Sequence, residues 1–190
     1  MSPGGSVRRL FVLLSLVGAL SACGAEPAPP PTTTAPPPTT TSAGGLDPTD
    51  AAYVQLAIPQ AESALPLLDA VRARATDPAL AELATRAGVG HRGELTELHG
   101  VLERAGATYL NQHEGHDMPG MVTRDEVVAA DRLAGAEFDA EARVLLRRHF
   151  EESAAVARSE LAAGADAGLL ELTGRIERAR ADYLSKLSVS

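Results

Sequence analysis

From Asp47 onward, apolar residues recur at steps of three and four, which is the spacing of one face of an α-helix. The first stripe reads Tyr53, Ala57, Gln60, Ala64, Leu67 and Val71, with Asp50 as the expected cap and Pro59 and Pro66 as expected bends. The second opens at Asp77-Pro78, a cap followed by a first-turn proline, and continues through Leu80, Ala84, Ala87, His91, Leu95, Leu98 and Leu102. Thr123 and Glu126 form the spacing of a capping box and predict a short helix. A long helix is expected from about Asp139, with Phe138, Ala142, Leu145, His149 and Val156 aligned, and a last one from Asp166. An offset of 89 residues, which takes Asp77 to Asp166, lays "DPALAELATR" over "DAGLLELTGR" without a gap. The spacing therefore predicts an all-α four-helix bundle made of two duplicated helical hairpins, with a short extra helix in the connection.

Polar residues interrupt the stripes at matching places. Gln60, His91, His149 and Arg180 each fall on the apolar face of their own helix. Polar groups on a core face need partners, and Glu94 and Glu152 are the nearest candidates to supply them. Gln60, His91, Glu94 and His149 are read as a hydrogen-bonded layer that fixes helix register, and as a candidate secondary metal site. The histidines are expected to serve stability more than metal binding.

The connection holds "HEGHDMPGM", His113 to Met121. Apart from Met1, the only methionines of the chain are Met118 and Met121, and two of its five histidines, His113 and His116, stand beside them. Pro119-Gly120 disfavours a helix interior, so the stretch is expected to be a loop. Thioether sulfur is soft and uncharged and suits Cu(I) better than Zn²⁺. His113, His116, Met118 and Met121 are therefore the candidate metal ligands, with Glu114 and Asp117 supplying negative charge between them. The competing reading is that both methionines pack the loop onto the bundle and the histidines are solvated.

The ends of the chain set its surroundings. Arg8 and Arg9, the apolar run "LFVLLSLVGAL" and "LSAC" at Leu20–Cys23 form a leader over 1–22, whose apolar run is too short for a membrane span of about 20 residues. "LSAC" resembles a bacterial lipobox, so Cys23, the sole cysteine, is expected to become the acylated first residue and a membrane anchor. An ordinary signal peptide that happens to contain a cysteine is the alternative. With Cys23 lipidated, no thiolate or disulfide remains for the folded part. Residues 23–46 are rich in Pro and Thr without an apolar period, the composition of a disordered tether, and residues 47–190 form the bundle domain. Removing Arg8 and Arg9 with the leader takes the formal charge from −8 to about −10, which disfavours nucleic acid as a partner. No nucleophile–His–acid set, phosphate loop or dinucleotide fingerprint is present, and no Glu stands three residues before a His as di-iron bundles require. The expectation is a non-enzymatic protein; its protein partner is not legible.

Several of these stretches together resemble the bacterial domain-of-unknown-function family numbered 305, which is ferritin-like. "MPGMVT" at Met118–Thr123 is similar to the family's joint, and "FDAEARVLLRRHFEESAAVA" to its second-half helix. There His149 matches the first of two paired histidines and Phe150 replaces the second. "HRGEL" keeps Glu94 and has His91 in place of a glutamine, while Gln60 and Ala61 stand where two further histidines would be. Arg180 and Tyr183 stand where the last element would carry Gln and Glu. The resemblance covers about Asp50 to Leu187. It implies an extracytoplasmic bundle that handles copper, and the lost histidines weigh against a second, helix-borne site. The alternative is a non-catalytic helical binding or scaffold lipoprotein whose metal site has decayed.

Overall fold

The computed structural model describes residues 45–111 and 116–188. Cys23, the leader and most of the tether, together with His113 and Glu114, lie outside the described residues. Among the described residues five helices follow one another: α1 (Pro48–Arg74), α2 (Pro78–Arg104), α3 (Arg124–Asp131), α4 (Gly135–Ala163) and α5 (Ala167–Leu187). None of them is long and apolar enough to cross a membrane.

Capping chemistry decides most of the boundaries. Asp77, Thr123 and Asp166 cap α2, α3 and α5, and Thr123 and Glu126 make the reciprocal capping box. Two expectations are corrected. The cap of α1 is Asp47, which accepts the N–H groups of Thr49 and Asp50; Asp50 is buried and binds elsewhere. α4 starts at Gly135, four residues before Asp139, and its first turn has no side-chain cap. Asp139 instead accepts the N–H groups of Thr76 (3.1 Å) and Asp77 (2.9 Å), closing the turn between α1 and α2.

Four long helices pack in a square, α1 beside α2 and α4, and α5 beside α2 and α4. Contacts at both ends show that α1 and α4 are antiparallel: Asp50 meets Ala165 and Asp166, whereas Thr76 meets Asp139. α2 and α5 are antiparallel too, since Glu94 meets Arg180 and Glu97 meets Arg175. α2 and α4 therefore run the same way at opposite corners. The connection between them has to return along the length of the bundle, the long crossover of ferritin-like folds.

The apolar core is divided in two. One cluster gathers Leu67, Leu68, Leu83, Leu146, Phe150 and their neighbours; the other gathers Val54, Ile58, Leu98, Leu169 and Ile176. Between them lies one cross-section of polar side chains, Gln60 from α1, His91 and Glu94 from α2, His149 and Ser153 from α4, and Arg180 from α5, all buried. The 89-residue offset maps Gln60 onto His149 and His91 onto Arg180. The duplicated hairpins thus contribute equivalent positions to one layer.

Candidate functional site

The described parts of the crossover are held by helix side chains, its first stretch by α1 and the joint at 119–122 by α1 and α4 together. Gln55 donates to Thr108 O and accepts from Leu110 N (3.0 and 3.1 Å). Further along, Gln60 Nε2 donates to Pro119 O at 2.6 Å, and Gly120 N donates to Glu152. Gly120 O accepts from His149 Nδ1 at 2.6 Å. Met121 N closes a turn onto Met118 O (3.0 Å), Met121 O accepts from Arg148, and Val122 N donates to Ser63 Oγ at 3.1 Å. Every backbone donor and acceptor from Pro119 O to Val122 N is therefore satisfied, as burial of Gly120, Met121 and Val122 demands.

Gly120 is required on two counts. Its φ is +81°, in the region that L side chains rarely adopt. An added Cβ would also stand 2.7 Å from Gln60 Nε2 and 3.2 Å from Ser153 N. No other residue lets the chain pass this close to the polar layer.

Beneath the joint, the layer is internally paired. Arg180 makes a bidentate ion pair with Glu94 (2.9 and 2.6 Å) and donates from Nε to Ser153 Oγ at 3.2 Å. Gly120 O can only accept, so His149 carries its hydrogen on Nδ1 and its Nε2 is a bare acceptor. That Nε2 meets His91 Nε2 at 2.8 Å. Burial, with the Arg180 guanidinium nearby, holds both rings well below the ordinary histidine value of 6.5, and takes His149 down to about 3. A neutral His91 then has one hydrogen for two acceptors, His149 Nε2 and Ala87 O, each 2.8 Å from one of its ring nitrogens. Phe150, where the family resemblance implies a second histidine, is fully buried and packs on the rings of His91, His149 and Tyr183.

The candidate ligands separate into three groups. His116 is exposed and Met121 is buried, yet both line one cleft of about 720 Å³ between α1 and the joint. Glu62, Asp117 and Asp125 add carboxylates to its wall. Met118 is half-buried and is not part of that wall. His113 lies outside the described residues. Among the described residues no three His, Cys, Asp or Glu side chains converge as a metal site. Beside those carboxylates the cleft offers one imidazole and one thioether, and the thioether is the donor that favours a soft ion. In the layer below, Glu94 is committed to Arg180, and the two imidazoles face each other.

Along the chain, loop and layer are separate stretches. The structure joins them through His149, Gln60 and Glu152. It also adds Ser63 and the Arg148–Glu126 pair (2.6 and 2.7 Å), which steady the far side of the joint. Only the Thr123–Glu126 capping box hinted at that region, because the rest are long-range contacts.

A family model described as a domain of unknown function, DUF305, matches residues 50–188. A crystal structure of a DUF305 fragment from Deinococcus radiodurans superposes with a TM-score of 0.67 at 18% identity, covering 76% of this chain and 95% of that one. A DUF305 protein from Streptomyces coelicolor, described as secreted, gives 0.66 at 17% identity, covering 73% and 89%. No curated protein matches the chain.

Proposed function

Because the chain belongs to the DUF305 family and lines one cleft with both an imidazole and a thioether, we propose that it is an extracytoplasmic copper-binding protein. On this reading it is anchored through lipidated Cys23 and binds Cu(I) at the crossover joint. The observation that carries it is that His116 and Met121 line the same cleft. Met118, at the other end of the turn, and His113 are the remaining donors of the set. Both donor types are neutral, so they bind a soft monovalent ion without burying further charge. Glu62, Asp117 and Asp125 outnumber Arg124 on the cleft wall, and the net negative charge favours cations. The secreted relative from Streptomyces coelicolor and the leader-like residues 1–22 support an extracytoplasmic position. We assign the protein no catalytic step.

A second reading has one observation in its favour. Met121 is only 7% exposed and its backbone is clamped, as in a residue that simply packs the joint onto the bundle. On that reading the protein is a helical scaffold. A competition titration against a Cu(I) chelator, in reductant, separates the two. Met118→Leu with Met121→Leu keeps apolar volume and removes the sulfurs, and such swaps usually cost less than about 1.5 kcal/mol. The copper reading expects the pair to lose most Cu(I) affinity. Equal affinity in both proteins supports the scaffold reading.

A further inference from the structure

At the end of the bundle where α1 begins, two carboxyl groups are buried together. Glu160 of α4 is 2% exposed, and neither of its carboxyl oxygens meets a donor among the described residues. Asp50 of α1 is 1% exposed and accepts the N–H groups of Ala165 and Asp166, both at 2.9 Å. Through those bonds Asp50 ties the first turn of α1 to the turn between α4 and α5. Gly164 lies against both groups: a methyl there would collide with Glu160 Oε1 and stand 2.8 Å from Asp50 Oδ1. The two carboxyl groups therefore face each other across Gly164, each with an oxygen within 3 Å of the same point.

Two adjacent buried carboxylates cannot both stay charged cheaply. Asp50 has two backbone donors, so the charge is best placed there. Glu160 has none, so it keeps its proton and directs it at Asp50. We propose that Glu160 and Asp50 share one proton as a carboxylic acid–carboxylate pair, and that this pair is a pH-operated latch between the start of α1 and the α4–α5 turn. Loss of the proton leaves Glu160 charged, buried and without a donor, and sets it against Asp50.

The surrounding groups reinforce this. From the start of α1, Asp47 adds a further negative charge, and Tyr53 lies close enough to sense Glu160. From α5, the cap Asp166 is acidic. From α2, Arg104 shares a surface cleft with Asp166. No cationic side chain among the described residues forms an ion pair with Asp50 or Glu160. Burial first, then Asp50 and Asp47, push the Glu160 carboxyl from 4.5 up to about 7. A raised value means that the proton's contribution is complete below about 4.5, declines as pH rises to about 7, and is gone above.

The test is a carbon-13 NMR titration of glutamate carboxyl groups in the full mature chain, with thermal unfolding measured from pH 4 to 9. The proposal expects one glutamate to titrate near pH 7 and its signal to be missing in Glu160→Gln. It also expects the melting temperature of the wild type to fall relative to Glu160→Gln between about pH 4.5 and 7. Asp50→Asn removes the charge and brings an amide donor, and should lower the Glu160 titration by a unit or more. Every glutamate titrating below pH 5.5 in the wild type overturns the proposal, whatever the variants do. So does a rise in wild-type melting temperature with millimolar Ca²⁺ or Mg²⁺ at pH 8 that Glu160→Gln abolishes, because the pair would then hold a metal ion.

Discussion

His149 donates from Nδ1 to Gly120 O at 2.6 Å, so a core histidine and the crossover joint are parts of one structure. The contact gives His149 a consequence for the joint as well as for the stability of the layer. His149→Ala should leave Gly120 O and the facing nitrogen of His91 unsatisfied, at about 1–3 kcal/mol each. It should lower the melting temperature and speed hydrogen exchange at Met121 and Val122, and Cu(I) affinity should fall several-fold as the joint loosens. Unchanged exchange at those two amides would show that the joint holds without the histidine.

The pH dependence of the layer has a definite sign. His91 and His149 are held below the ordinary histidine value of 6.5, so folding favours their neutral forms. Their contribution is present above about 6.5 and is lost as pH falls, for His149 down to about 3. Each imidazole should remove about 1.4 kcal/mol per pH unit across its window. Denaturant unfolding between pH 4 and 8 should show this slope reduced in His149→Gln. Glu160 acts in the opposite direction over part of the range, so the comparison is best made in the Glu160→Gln background.

Arg180 and Glu94 form a buried ion pair whose value depends on both members being present. Arg180→Met leaves Glu94 buried and unpaired, which should cost about 3–5 kcal/mol. Adding Glu94→Leu should restore much of that loss. Urea unfolding of the two single variants and the double variant checks it; simple addition of the single losses would contradict the pairing.

The anchor is tested separately. Cys23 ends a lipobox-like segment, so the mature protein is expected in the membrane fraction. Cys23→Ser should release it or leave it unprocessed, as judged by fractionation and by mass. An unchanged distribution would contradict lipidation.

Much of the bundle was legible because helix period and capping are local. Asp77, Thr123 and Asp166 announced their helices, and the stripes placed Gln60, His91, His149 and Arg180 in the core. Where an acidic residue had two uses, sequence spacing chose wrongly. Asp50 is spaced as a cap and Asp139 as the start of a helix, yet each binds backbone N–H groups of a distant turn. Nothing local distinguishes these uses, because the partners of Asp50 are 115 and 116 residues away. The joint was visible as "MPGM", but not the three side chains that seize Pro119 and Gly120, since these arrive from α1 and α4 only after the crossover turns back. The Asp50–Glu160 pair left no mark in the pattern, because both residues fall among ordinary helix charges.

The central claim concerns the atoms that would touch the ion. X-ray absorption at the copper K-edge, on the mature protein loaded with one equivalent of Cu(I) in reductant, reads them directly. The account predicts a shell that combines imidazole nitrogen with thioether sulfur, the sulfur disappearing in Met118→Leu with Met121→Leu. A copper shell of nitrogen and oxygen alone in the wild type, or no copper retained after desalting, would contradict it.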